Sequence, residues 1–304
     1  MKITAIGRQA SLYLKEEERG SIIGVTSSGV FIKTKADKIL FLTMGPYRGP
    51  LTLNLEGNSE VFDRIKNGMG VVMQLGEISI PDAAFRIQSS QADMWPPPHP
   101  DRRLRTLTGR REVLHAFGRE MHSLIKESDY PAIYLQLKAL AQGDTRPAPE
   151  SGSLFAAIHN LNHDIINGDF PGVSEAFKPL LGRGEGLTPA GDDLLLGWLL
   201  SLNRWHATLV PDIDLQPLNQ AIVSAAYEKT TTISANLLEC AVQGEADERL
   251  INVLDAIMCE GNAPVRVQHA EPLRKDKIIT QLMRWGSSSG LYVFLGMVVA
   301  TINP

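Results

Sequence analysis

Cysteine is scarce. Cys240 and Cys259 are the only two in 304 residues, and no Cys-x-x-Cys spacing occurs. That excludes a disulfide scaffold and a zinc-thiolate site, and it fits a reducing compartment, so a cytoplasmic location is expected. An excess of basic charge is also lacking: 30 Lys and Arg stand against 34 Asp and Glu, a formal net charge of -4. A duplex-binding protein would carry a basic field, so no nucleic-acid partner is expected. Long hydrophobic runs are missing too. The longest, GLYVFLGMVVATI at 290–302, has 13 residues, where a membrane span needs about 20. It reads as a buried helix, and no membrane partner is expected. The opening MKITAIGRQASLYLKEEERG lacks the apolar core of a signal peptide.

What is present suits a packed interior: 43% apolar and 21% charged residues. The texture changes near residue 95. Before it, SIIGVTS, VFIKTK, ILFLT, LTLNLE and VVMQLG alternate with turn signals such as Ser28-Gly29, Gly45-Pro46 and Gly49-Pro50. This predicts a β-rich domain over 1–95, a small barrel or sandwich. NSEVFDRIKNG at 58–68 reads as a short helix capped by Asn58 or Ser59. WPPPHPD marks a proline-rich linker over 96–101. Over 102–304 the periodicity is helical, with segments at 102–127, 130–143, 153–168, 192–206, 215–243, 246–260, 272–283 and 289–300. Gly109 and Gly118 are expected to break or bend the first of them. The fold class expected is α+β, a β-rich barrel-like or sandwich domain followed by a mainly helical one.

The richest stretch is GRGEGLTPAGDDLLLG at 182–197. Gly182, Gly184 and Gly186 allow positive φ or close backbone approach. A helix then begins at Asp192 or just before it, where free N–H groups and the dipole favour an anion. One aspartate can cap that helix. The other, about 100° round it, is left to orient a metal ion, a substrate amine or a basic group. Gly197, one turn after Asp193, would let a second helix come close. No Gly-Lys-Ser/Thr follows, so this is no Walker loop, and no strand–turn–helix unit frames a dinucleotide fingerprint. No nucleotide cofactor is expected. A capped buried helix after a tight loop is the plainer reading.

The C-terminus echoes this spacing. Gly191 and Gly197 match Gly290 and Gly296, Asp193 corresponds to Tyr292, and Ser287, Ser288 and Ser289 stand where Thr188, Pro189 and Ala190 do. Two such helix starts could converge on one anionic ligand, or resemble each other by chance. A third candidate is Thr230-Thr231-Thr232-Ile233-Ser234, in which Thr231, Thr232 and Ser234 line a pocket with Lys229 as anion partner, or else mark a helix junction.

The remaining candidates are weaker. His159 and His163 have a metal-ligating spacing, but Asn160 stands where a His-Glu-x-x-His site needs glutamate, so helix packing is preferred. His115 and His122, with Arg119, suggest an exposed basic face. His206 fits a helix C-terminus. No Gly-x-Ser-x-Gly elbow occurs, and Cys240 reads as a core residue.

GEGLTPAGDDLLLG resembles the signature G-x-G-L-T-P-[SA]-x-D-D-x-L-x-G of the family containing the AllH-type subunit of oxamate carbamoyltransferase. TTTISANLLECAVQG at 230–244 and WGSSSGLYVFLG at 285–296 are similar to later blocks of that family. The resemblance covers mostly 180–300, with a weaker match in the β-rich start. It implies a role in purine and allantoin nitrogen metabolism, where an assembly of dissimilar subunits converts oxalurate and phosphate to oxamate and carbamoyl phosphate. On that basis Gly184, Gly186, Thr188, Asp192 and Asp193 carry over from the first block, and Ser288, Ser289 and Gly290 from the last. The last block departs from its pattern G-x-T-S-G-x-D by carrying Tyr292 in place of the aspartate.

Three functions stay open. The first is a carbamoyltransferase-like subunit, with Asp192 and Asp193 catalytic and with Gly184, Gly186, Thr188, Gly191, Lys229, Thr231, Thr232, Ser234, Ser288, Ser289 and Gly290 holding a small anionic metabolite such as phosphate. The second is a binding or assembly module within a hetero-subunit complex. The third is a stand-alone enzyme in which Asp192 and Asp193 give Mg²⁺ hard oxygen ligands.

Overall fold

The computed structural model describes residues 2–14, 18–57, 59–74, 76–89, 92–99, 103–148, 152–168, 173, 175–261 and 275–302. The chain forms two compact units, residues 1–98 with 246–248, and residues 99–245 with 249–304. The architecture is α+β, a curled, half-barrel-like sheet followed by a helical region.

Among the described residues the first unit holds nine strands: β1 (Lys2–Gly7), β2 (Glu18–Thr26), β3 (Gly29–Thr34), β4 (Ile39–Thr43), β5 (Thr52–Glu56), β6 (Gly70–Gln74), β7 (Glu77–Ile80), β8 (Phe85–Gln88) and β9 (Asp93–Trp95). They make one sheet in the order β8-β7-β6-β2-β3-β4-β5-β1-β9. Only β4–β5 and β1–β9 pair in parallel. The sheet is therefore continuous rather than a two-layer sandwich. Side chains alternate across it, as the two-residue period of a strand requires. Ile78 and Ile80, Phe85 and Ile87 turn inward while Arg86 and Gln88 stay exposed. Ile3, Ile22, Val30, Ile32, Leu40, Leu42 and Leu53 fill the concave core. Phe31 and Phe41, directly opposed across β3–β4, stack at 4.3 Å.

The strands β1, β7, β8 and β9, and a short helix α1 (Arg8–Tyr13), were not legible as elements in the sequence. Segment 58–68 contains a 3-10 helix at Ser59–Arg64. Asn58, its candidate cap, lies outside the described residues, as do Pro100 and Asp101 of the linker.

The second unit is helical: α2 (Leu107–Leu124), α3 (Pro131–Ala141), α4 (Ser153–Ile166), α5 (Ala190–Arg204), α6 (His206–Leu209), α7 (Gln216–Lys229), α8 (Thr232–Ala241), α9 (Glu248–Met258), α10 (Lys275–Met283) and α11 (Ser289–Thr301). Gly109 and Gly118 do not break α2. Gly109 donates its N–H to the Thr106 cap, and a Cβ on Gly118 would meet the Leu140 side chain at 2.9 Å, so this glycine admits α3. The expected long helix over 215–243 is two helices. Thr230 is extended, and the Thr231 hydroxyl caps α8 by accepting the Ser234 N–H at 3.1 Å.

His115 and His122 do not form an exposed basic face. Both are half-buried, their Nε2 atoms are buried without a hydrogen-bond partner among the described residues, and His122 packs on Tyr134 at 4.3 Å. His206 lies just past the C-terminus of α5, two residues after Arg204, where it also opens α6 and bonds the Ile213 carbonyl at 2.6 Å. His159 is half-buried, and burial lowers its pKa to about 4, whereas His163 is exposed and bonded to Asn167.

At the centre of this unit lie α5 and α11. Trp198 is fully buried and donates to Asn162 Oδ1 at 2.9 Å. Arg204, at the end of α5, forms a buried bidentate ion pair with Asp255, both bonds at 2.8 Å. Both cysteines are buried, and neither forms a disulfide.

Candidate functional site

The site begins with the loop 182–189. Gly182, Gly184 and Gly186 have φ of 69°, 121° and 94°, in the left-handed region that L side chains rarely adopt. Their order explains the loop's path. A Cβ on Gly182 would lie 2.4 Å from the Lys229 carbonyl oxygen, and one on Gly184 would lie 2.7 Å from the Ala190 nitrogen. Pro189 then precedes the helix and offers no side-chain cap. Gly191 lets the first turn of α5 touch the preceding chain, since a Cβ there would lie 2.0 Å from the Leu180 carbonyl oxygen.

Asp192 does not cap its own helix. Its Oδ1 accepts the Gly182 N–H at 2.8 Å and its Oδ2 accepts the Thr230 hydroxyl. It thereby ties the start of the loop and the α7–α8 junction to α5. Burial raises its pKa, and these two bonds, with the nearby Ser234 hydroxyl, act against that rise. Thr231 braces the same loop by donating to the Leu187 carbonyl at 2.6 Å.

Asp193 faces the other way, toward α11. Ser289 and Thr188 hydrogen-bond its carboxyl, and their own hydroxyl oxygens are 2.9 Å apart. Both aspartates are only 2% exposed. Burial pushes the Asp193 carboxyl up to about 8, the two hydroxyls oppose this, and the neighbouring Asp192 adds to it. Among the described residues, no lysine, arginine or histidine is one of the groups that shift either acid. Surrounded by hydroxyls rather than a cation, a carboxyl this deep keeps its proton at neutral pH. Tyr292 lies beside it: burial and the Asp193 charge both raise the phenol, and its ring stacks on Phe155 at 6.1 Å.

The two helices meet through glycine. A Cβ on Gly197 would lie 1.9 Å from the Val293 carbonyl oxygen and 3.1 Å from the Met297 nitrogen. A Cβ on Gly296 would lie 2.0 Å from the Leu194 carbonyl oxygen and 3.0 Å from the Trp198 nitrogen. The helices therefore run parallel in backbone contact, with both N-termini at the Thr188–Asp193–Ser289 cluster. Gly290 repeats the role of Gly191, a Cβ there lying 2.2 Å from the Leu282 carbonyl oxygen.

Of the residues singled out in the sequence, Gly184, Thr188, Gly191, Asp192, Asp193, Thr231, Ser234, Ser289 and Gly290 come together here. Lys229 contributes its carbonyl, at Gly182, while its side chain is exposed. Thr232 opens α8 and accepts from Asn236 through its carbonyl. A Cβ on Gly186 would meet nothing within 4 Å. Ser288 receives the Leu291 and Tyr292 amides on its carbonyl. Thr230 and Gly182, both within the stretches singled out in the sequence, join them as the partners of Asp192. The threonine run pointed to the first, but which of three adjacent hydroxyls reaches Asp192 depends on where α7 stops. Among the described residues no group of three or more His, Cys, Asp or Glu side chains gathers to hold a metal. No helix among them is long and apolar enough to cross a membrane.

Residues 180–301 match the family model described as oxamate carbamoyltransferase subunit AllH. The match spans less than half of the chain and indicates a distant relation to that family across the segment that carries the site. No curated protein and no solved structure matches the chain.

Proposed function

We propose that the chain is a subunit of an oxamate-carbamoyltransferase-like enzyme, converting oxalurate and phosphate to oxamate and carbamoyl phosphate within a hetero-subunit assembly. One observation carries this reading. The segment similar to the family surrounds a buried carboxyl, Asp193, whose pKa of about 8 suits a proton donor at neutral pH.

The chemistry needs such a donor. A phosphate oxygen attacks the terminal carbamoyl carbon of oxalurate, the bond from that carbon to the oxamate nitrogen breaks, and the departing nitrogen takes up a proton. Asp193 supplies that proton, and the proton released by the attacking phosphate restores it. A second ionised carboxylate would repel both anionic reactants, whereas a protonated one donates to them. The Thr188 and Ser289 hydroxyls orient the Asp193 carboxyl, and the parallel helix starts favour negative charge beside them. Asp192, with both oxygens occupied, positions the loop and does not react.

The test is reconstitution with the partner subunits and measurement of phosphate-dependent carbamoyl phosphate formation. Asp193→Asn is expected to lower kcat about 100-fold with the assembly intact by size-exclusion chromatography. The wild-type rate should decline above about pH 8 as Asp193 loses its proton. An unchanged rate in Asp193→Asn would refute the proton-donor role and favour a binding or assembly module.

A further inference from the structure

The offset between the two helix starts holds through their contacts, not only through their sequence. Gly191 and Gly197 are 99 residues before Gly290 and Gly296. The atoms that each central glycine meets obey the same offset: Val293 and Met297 for Gly197, Leu194 and Trp198 for Gly296. Each helix therefore does to its neighbour what the neighbour does to it, and α5 and α11 are related by a local two-fold axis through their glycine contact. That axis exchanges Asp193 with Tyr292. These two residues occupy matching positions on the two helices, one a carboxyl and one a phenol.

We propose that Tyr292 is a ligand-contacting residue of this site and that its hydroxyl selects a small carboxylate or related oxyanion. Three observations support the assignment. Tyr292 faces Asp193 across the axis, close enough for the Asp193 charge to reach its phenol. It is partly exposed whereas Asp193 is 2% exposed, so Tyr292 is the more accessible of the two matching positions. Its ring is held by stacking on Phe155, which fixes where the hydroxyl points without using the hydroxyl itself. A neutral phenol donates to an oxyanion, as do the Thr188 and Ser289 hydroxyls beside it. A carboxylate at this position would instead face Asp193 across the axis and favour a cation.

The inference rests on the reading of this cluster as a ligand site, but its test uses binding to the full chain alone and is independent of turnover. Isothermal titration calorimetry with oxamate as probe at neutral pH is expected to show binding to the wild type. Tyr292→Phe, which keeps the ring on Phe155, should weaken it at least about tenfold, the scale of one lost hydrogen bond to a charged group, with no change in the unfolding midpoint. Tyr292→Asp should abolish it. The proposal is overturned if the wild type takes up no oxamate, if Tyr292→Phe binds as tightly as wild type, or if Tyr292→Asp retains affinity. Binding through Tyr292 without phosphorolysis in the reconstituted assembly would sink the proposed reaction and leave this assignment standing. Turnover with wild-type affinity in Tyr292→Phe would do the reverse.

Discussion

The N-terminal ends of α5 and α11 share a backbone solution and differ in chemistry. Each has a glycine in the left-handed region shortly before the helix, Gly186 at φ 94° and Gly286 at φ 70°. Each has a glycine in its first turn against a leucine carbonyl and another one and a half turns on against the partner helix. The chain leading into α5 is nevertheless fastened differently. Asp192, Thr230 and Thr231 tie it to the α7–α8 junction, while the start of α11 is held by backbone bonds such as Gly290 N–H to the Trp285 carbonyl, by the Tyr130 hydroxyl donating to the Ser287 carbonyl and by the Ser289–Thr188 hydroxyl pair. Geometry common to the two helix starts thus belongs to helix packing, and what differs between them belongs to the site.

The largest effects should come from what is common. Gly197→Ala and Gly296→Ala each place a Cβ about 2 Å from a backbone oxygen that cannot move without separating the helices. Each is expected to cost about 3 kcal/mol, at the upper end for overpacking, measured by urea unfolding. A neutral result at one glycine but not the other would break the two-fold equivalence.

The next effects should separate the two helix starts. Asp192→Ala leaves the Gly182 amide and the Thr230 hydroxyl without their acceptor, at a cost of about 2 kcal/mol. Thr230→Val removes one of those bonds and should cost about half as much. If Asp192→Ala left the unfolding midpoint unchanged, the clamp would not be what holds the loop.

Asp193 should show itself through pH. Its folded pKa of about 8 exceeds the ordinary 3.8, so the folded state holds the proton more tightly. Its contribution is fully present below about pH 4 and is lost as pH rises to about 8, by about 1.4 kcal/mol per unit at most. His159 acts oppositely. Its pKa is lowered from 6.5 to about 4, so its contribution is present above 6.5 and is lost as pH falls toward 4. The two oppose each other between about 4 and 6.5, and Asp193 dominates from there to about 8. Asp193→Asn is expected to flatten the fall in stability across that upper window, measured by urea unfolding at its two ends. A slope that survives the substitution assigns the titration to another group.

The smallest effect tests the junction. Thr231→Ala removes the α8 cap and should cost about 1 kcal/mol, with little change in the pH dependence that Asp193 sets.

The glycine-rich stretch, the paired aspartates and the serine run were all legible in the sequence, because glycine at a loop-to-helix turn and hydroxyls at a helix start are local signals. So were the inner strands of the sheet and most of the helices. The outer strands were not, because segments as short as β9, three residues, take their conformation from a neighbour rather than from their own pattern. The split of 215–243 was legible only as one of two readings of the threonine run, a pocket lining or a helix junction, because hydroxyls inside an apolar period read as helix until they find other partners. Tyr292 was visible as a departure from the family's pattern, but its place beside Asp193 was not.

By itself the sequence determined the two textures of the chain, the candidate loop and the residue types available for proton transfer and anion binding. Those follow from composition, periodicity and the steric freedom of glycine, which act within a few residues. Tertiary structure alone decided that α5 and α11 run parallel in backbone contact, that Asp192 is occupied as a clamp, and that Asp193 is buried against hydroxyls. Desolvation is a property of everything packed around a group, here including α11, about a hundred residues further along the chain. The local reading separated the two aspartates into a cap and a free acid, but it could not show that Asp192 holds Gly182 and Thr230 instead of capping its helix, or that Asp193 is the desolvated one.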